Sequence, residues 1–168
     1  PDVFDVRLTQ LKKELDGFNI TIPHKLRVLA QMDVLDETAQ RYGAVNCASW
    51  CDGVWTGYNT DVVGFTRAVE SMGASLSSRV LLLGCGGAGR MMAIETALRG
   101  GALTIATREK DAPRVQACLE DIRRLSPGAQ VDTVLLDAVE GSYDLILNAT
   151  PAGMYPHTSD APIGEETV

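Results

Sequence analysis

Residues 79–90 read RVLLLGCGGAGR, and the order of residue types in this stretch decides the fold of the region around it. Val80 to Leu83 are apolar without interruption, at the length of a strand. A strand apolar on both faces belongs in a parallel sheet covered by helices. Gly84, Gly86 and Gly89 then fit GxGxxG at the point where the strand must turn into a helix. In that context the first glycine turns the chain, the second admits a phosphate to the backbone, and the third lets helix pack on strand. Gly87 and Ala88 complete the turn, and the helix N-terminus offers its N–H groups to an anion. A tight turn without a ligand is the plainer alternative, but the flanking strand and helix favour a nucleotide.

Reading toward the C-terminus, a helix runs through Arg99, LTIAT (103–107) is a second strand and Ala112 to Arg124 a second helix. VDTVLL (131–136) and YDLILNA (143–149) supply a third and a fourth strand. Alternating strands and helices predict a doubly wound parallel sheet of the Rossmann type. About 20 residues after its glycine turn, such a fold places the group that reads the adenine ribose. The sequence there is Ala106-Thr107-Arg108-Glu109-Lys110. Thr107 and Arg108 suit a 2′-phosphate, which a guanidinium can grip with two hydrogen bonds. Glu109 stands one or two places late for a carboxylate that binds a free 2′-hydroxyl. The expected cofactor is NADP in preference to NAD.

The N-terminal half is patterned differently. Leu8, Leu11 and Leu15 fall at helical spacing and Gly17 ends that helix. FNITI (18–22) reads as a buried strand stopped by Pro23, and Lys25 to Met32 and Glu37 to Tyr42 as short helices, the second broken by Gly43. AVNCASW and VWTGY flank Asp52-Gly53, a hairpin signal. Asp61 opens a helix with Val62, Phe65, Val69 and Met72 on its apolar side. The small, polar stretch from Gly73 to Ser78 marks a boundary, giving domains of 1–74 and 75–168. Trp50 and Trp55 are expected to pack at the core or sheet edge, and His24 to be a half-exposed residue at a helix start.

Of the 168 residues, 45% are hydrophobic and 22% charged, enough to bury a core. No apolar run approaches the ~20 residues needed to cross a bilayer. The net charge of −7, and the lack of any basic cluster larger than a pair such as Arg123-Arg124, argue against a nucleic-acid partner. Cys47, Cys51, Cys85 and Cys118 form no CxxC and have no histidine at zinc spacing, so no metal is expected. They read as free thiols in a reducing compartment, the cytoplasm.

Five motifs stand in order along the chain: NxTxPxK from Asn19 to Lys25, GAVN ending at Asn46, GxNTDxxGF around Asp61, the glycine turn, and NATPxGM from Asn148 to Met154. Singly, each has a plain structural explanation: a solvated lysine, a helix-start carboxylate, a polar strand end, a loop with a proline. Together they resemble the shikimate/quinate dehydrogenase family over nearly the whole chain. The resemblance implies an α/β protein of two lobes, here both incomplete: a substrate-binding domain, then a Rossmann domain, with the active site in the cleft between them. It implies that Lys25 and Asp61 are the catalytic pair. Asn19, Thr21, Lys25, Asn46 and Asp61 would bind the hydroxyls of a small cyclohexene acid. Thr150, Pro151, Ala152 and Gly153 would lie beside the nicotinamide. The activity implied is NADP-dependent hydride transfer between shikimate and its 3-dehydro form, in aromatic amino-acid biosynthesis by way of chorismate.

The chemistry calls for these residue types. Oxidising a secondary alcohol requires removal of the hydroxyl proton as the hydride leaves, and a free amine beside a carboxylate can take it. Ring hydroxyls need matching partners, because a buried group left unpaired costs ~1–3 kcal/mol. Members of the family usually begin with a strand and a Ser-x-Ser segment, and end with further strands and a helix carrying a glutamine. Neither stands in this sequence, so the expectation is a portion of a longer enzyme or a truncated homologue. The alternatives are an NAD-preferring, catabolic quinate dehydrogenase, and a non-catalytic homologue that binds nucleotide or substrate.

Overall fold

The computed structural model describes residues 3–21, 23–156 and 158–164. The chain divides into two compact units, residues 1–64 and 65–168. The division falls inside a helix; the boundary expected at 74/75 lies just beyond that helix.

In the first unit, α1 (Val3–Glu14) precedes β1 (Gly17–Asn19), a 3-10 turn (Arg27–Gln31), β2 (Val34–Leu35), α2 (Glu37–Tyr42), β3 (Cys47–Cys51), β4 (Val54–Tyr58) and the start of α3 (Asp61–Ser71). The sheet order is β1-β3-β4-β2. The hairpin forms as expected, with Trp50 opposite Trp55 and with Asp52 at φ 50° and Gly53 at φ 87° in its two-residue turn. Trp55 is buried with Leu8, Ile20, Val28, Ala39, Val45 and Ala48, while Trp50 leans on it from the exposed side, ring centres 5.7 Å apart. Asp36 caps α2 by accepting from the Ala39 N–H at 2.8 Å, and Gly43 ends it in the left-handed conformation.

Several local expectations give way here. The strand expected over 18–22 spans only Gly17–Asn19, because pairing with β3 ends at Asn19↔Cys47; Ile22 lies outside the described residues. The helix expected over Lys25–Met32 is a 3-10 turn beginning at Arg27, so Lys25 sits in a turn before it. Helix α1 stops at Glu14, leaving Leu15 outside it and exposed. Met72 is exposed too, since α3 ends at Ser71 and buries Val62, Thr66 and Val69.

The second unit holds β5 (Arg79–Leu83), α4 (Gly87–Leu98), β6 (Ala102–Thr107), a 3-10 turn (Glu109–Asp111), α5 (Ala112–Leu125), β7 (Val131–Leu135), another 3-10 turn (Leu136–Ala138) and β8 (Leu145–Asn148). All strands are parallel in the order β7-β6-β5-β8. Residues Val80 to Leu83 are at most 2% exposed, as their uniform apolarity requires. The flanking β7 is mostly exposed, and a short 3-10 turn and loop join it to β8.

Helices α4 and α5 pack together, and α5 turns Val115, Cys118 and Ile122 inward. Asp121 ties them: its Oδ2 accepts from Arg90 Nε at 3.1 Å and from a second Arg90 nitrogen, and its Oδ1 from Arg124 at 2.9 Å. Burial acts to raise the Asp121 carboxyl, but the hydrogen bonds from Arg90 and Arg124 outweigh it and hold the group below the usual aspartate value of 3.8. A depressed folded-state pKa adds stability that is complete above the unfolded value and is lost as pH falls through the folded one. Thermal melts of the wild type and Asp121→Asn should therefore differ by on the order of 1 kcal/mol at neutral pH. The gap should close below about pH 4. A gap independent of pH would show that the ion pairs contribute nothing.

Candidate functional site

Two groups of side chains stand out, one in each unit. In the first, Lys25 Nζ donates to Asp61 Oδ2 at 2.6 Å. The pair is partly exposed, with side-chain accessibilities of 28% and 41%. Lys25 is placed by its backbone, whose carbonyl accepts from the Val45 N–H at 2.9 Å. Asp61 begins α3, and the buried Asn59 caps that end by accepting from the Asp61 N–H at 3.2 Å.

Asn46 is the joint of the group. Its backbone bridges Ile20 and Tyr58, fixing it between β1 and the foot of the hairpin. Its amide Nδ2 donates to Asp61 Oδ1 at 2.7 Å and to Thr60 Oγ1 at 3.1 Å, while Oδ1 accepts from the Thr60 N–H at 2.8 Å. Both oxygens of Asp61 are thus engaged, one by the Lys25 amine and one by the Asn46 amide, which fixes the plane of the carboxylate. Sequence reasoning saw Asn46 as a substrate ligand and passed over Thr60; the NTD triplet was the only signal for the latter. Asn19 and Thr21 line a cavity of about 540 Å³ with Phe18 and His24. Among the described residues lining it, neither Lys25 nor Asp61 appears. His24 is half-buried and stacks on Phe4 at 4.4 Å.

In the second unit, the turn after β5 and the loop after β8 border a cavity of about 580 Å³. Gly84, at φ 90°, makes the turn, and a Cβ there would sit 2.9 Å from Thr150 Cγ2. A Cβ on Gly89 would fall 2.4 Å from the Gly84 carbonyl oxygen, so α4 rests directly on the turn. Beside Gly86 and Gly87, by contrast, a Cβ would meet nothing within 4 Å. These are the separate roles the motif assigns: closeness at the first and third glycines, open space at the second.

Gly84, Gly86, Thr107, Arg108, Thr150, Pro151 and Ala152 all line this cavity. Gly87, Ala88 and Gly89 form the first turn of α4, and Gly153, at φ 84°, turns the chain after Ala152. The loop is folded by its own asparagine: Asn148 Oδ1 accepts from the Thr150 N–H at 3.0 Å and its hydroxyl at 2.7 Å, and Thr150 Oγ1 accepts from the Ala152 N–H at 3.2 Å. Asp111 and Arg114 also border the cavity and were missed by sequence reasoning. Cys85 also lines it and is hydrogen-bonded to Cys118; that bond draws the Cys85 thiol below its ordinary value, with burial opposing, and pushes Cys118 up.

Among the described residues, no cluster of His, Cys, Asp and Glu could hold a metal ion, and no helix is long and apolar enough to cross a membrane.

The parallel order β7-β6-β5-β8, with a glycine turn after its first strand, puts the second unit in the Rossmann class of nucleotide-binding folds. Residues 1–48 match the family model of the shikimate dehydrogenase substrate binding domain. A shikimate dehydrogenase (NADP(+)) of Shouchella clausii is 37% identical over 161 residues, 92% of this chain and 56% of that protein. Among solved structures, shikimate 5-dehydrogenase of Thermus thermophilus in complex with NADP(H) and shikimate matches 96% of this chain and 57% of its own, at TM-score 0.80 and 32% identity. Quinate dehydrogenase of Corynebacterium glutamicum in complex with NAD matches 93% and 57%, at TM-score 0.78 and 34% identity. The chain is thus similar to shikimate dehydrogenases along most of its length, and it spans about half the length of the curated relatives it matches.

Proposed function

We propose that this chain carries the catalytic pair and the nucleotide site of a shikimate dehydrogenase, transferring hydride reversibly between NADP(H) and shikimate or 3-dehydroshikimate. The observation that carries the reading is the Lys25–Asp61 contact of 2.6 Å, with the carboxylate fixed on its other side by Asn46. Residues 1–74 would then be the C-terminal part of the substrate domain and 75–168 most of the cofactor domain. The four free cysteines suit a cytoplasmic enzyme.

The nucleotide site fits such a cofactor: the glycine turn leaves backbone open at Gly86 and Gly87, and the cationic Arg108 stands on the cavity wall beside Thr107. Bound there, NADP would supply the hydride acceptor. Lys25 takes the proton from the substrate hydroxyl during oxidation and returns it during reduction. Asp61 holds the amine in place and accepts from a neighbouring ring hydroxyl. Asn19 and Thr21 offer further polar partners, and Thr150, Pro151 and Ala152 border the nicotinamide end. The NAD complex of the quinate dehydrogenase favours a second reading, an NAD-preferring quinate enzyme.

Mixing the chain with shikimate or quinate and either nucleotide, and following nicotinamide absorbance, tests both. Shikimate-dependent reduction of NADP supports the first reading, and quinate with NAD the second. A folded chain that binds nucleotide and turns over neither acid would mark it as a binding module.

A further inference from the structure

Rossmann proteins read the adenine ribose in one of two ways: a carboxylate accepts from a free 2′-hydroxyl, or a guanidinium holds a 2′-phosphate. This chain has both on one wall. Arg108, directly after β6, donates from Nε to Asp111 Oδ2 at 3.2 Å. Arg114, in the first turn of α5, donates from Nη1 to Asp111 Oδ1 at 3.2 Å. All three border the nucleotide cavity beside Thr107.

Their accessibilities differ in a telling way. The arginine side chains are 57% and 70% exposed, the aspartate only 15%. The carboxylate is the fixed member, held in a tight turn by its own N–H bond to the Arg108 carbonyl at 2.9 Å. Each arginine commits one nitrogen to it and keeps other donors for a ligand. Although Asp111 precedes α5, its side chain makes no capping hydrogen bond, so helix capping does not account for it. A carboxylate offers about four lone-pair positions. Two are used by the arginines, which leaves acceptor capacity toward the cavity.

We propose that Asp111 sets the cofactor selectivity of this site, its carboxylate accepting from a free ribose 2′-hydroxyl and opposing a 2′-phosphate, so that the chain takes NAD as well as NADP. The inference rests on the reading of this cavity as a nucleotide site. With NADP, Arg108 and Arg114 turn toward the phosphate against the pull of Asp111. With NAD, they stay on Asp111, which takes the hydroxyl proton into a hydrogen bond. Two guanidiniums and one carboxylate leave a single net positive charge on this wall; without Asp111 it would be two.

Calorimetric Kd values for NADP and NAD, and for adenosine 2′,5′-bisphosphate and adenosine 5′-monophosphate as the isolated halves, test this on the whole chain. Asp111→Asn should tighten NADP and weaken NAD, raising Kd(NAD)/Kd(NADP) by about tenfold. The two adenosine compounds should move the same way. Asp111→Ser, which keeps a residue suited to a helix start, is the second variant should the first fail to fold. A merely structural role would weaken both nucleotides alike, so an unchanged or falling ratio overturns the proposal. If the wild type binds neither nucleotide, the nucleotide site itself is wrong and this inference goes with it; if it binds NADP and the ratio does not move, only Asp111 is misassigned.

Discussion

Replacing Lys25 with alanine is expected to cut turnover by about 10²–10⁴-fold, the usual contribution of a positioned proton-transfer group. Stability should hardly change. The Lys25–Asp61 pair is partly solvent-exposed, and such pairs contribute about 0–1 kcal/mol. Nucleotide affinity should be unaltered, because the loops bordering the nucleotide cavity belong to the other unit. Asn46→Ala should show a smaller loss of turnover, since Asp61 keeps Lys25 but is released from the amide on its far oxygen. Steady-state rates with matched melting curves check this. A Lys25→Ala protein with wild-type turnover would remove the lysine from the mechanism.

The second large effect concerns the glycine turn, where neighbouring glycines should respond oppositely to one added methyl. Gly89→Ala places a Cβ 2.4 Å from the Gly84 carbonyl oxygen, with Gly84 C at 3.1 Å and Ala149 Cβ at 3.2 Å behind it. Backbone cannot yield as a flexible side chain could, so α4 must shift from the turn. Overpacking of this kind costs about 1–3 kcal/mol. In a unit of this size that lowers Tm by on the order of 10 °C. Gly86→Ala meets nothing within 4 Å and should melt like the wild type. On the proposed reading its methyl nevertheless stands where a phosphate approaches, so nucleotide affinity should fall by about tenfold or more. Melting and titration of the two variants separate the roles. A stable Gly89→Ala would mean that the helix does not depend on this contact.

The Rossmann half was legible because its signals are local. Four apolar residues in a row and glycines at fixed offsets specify strand, turn and helix without long-range contacts, whereas the order β7-β6-β5-β8 came only from the folded chain. The first unit was read less fully. Nothing local marks Val34-Leu35 as a strand; it forms because parallel pairing with Thr56 and Gly57 of β4 completes the sheet edge. Leu15 and Met72 continued an apolar spacing past the point where their helices end, and periodicity alone does not locate an end that tertiary contacts set. In the site, Lys25 and Asp61 were visible as motif residues, but the bond joining them spans 36 positions. The same limit hid Asp111 and Arg114. Their meaning depends on which wall of a cavity they share, and only the folded chain brings Thr107, the glycine turn and the loop after β8 together.

Among the described strands, β8 is the last along the chain to join its sheet. It pairs with β5 across 65 positions of sequence, anchored where the Arg79 N–H meets Asp144 Oδ2 at 2.9 Å, and no helix packs its approach from β7. Closing that loop costs entropy before any contact offsets it, so the β5–α4–β6 core can assemble while β8 is still detached. Yet the asparagine that folds the Asn148–Ala152 loop is the last residue of β8. Part of the cavity rim is therefore set by a segment that pairs with the sheet only across a long stretch of chain. A nucleotide that engages both rims acts as a clasp on that segment, and its binding should appear as slowed hydrogen exchange in β8 well before it is felt in β5.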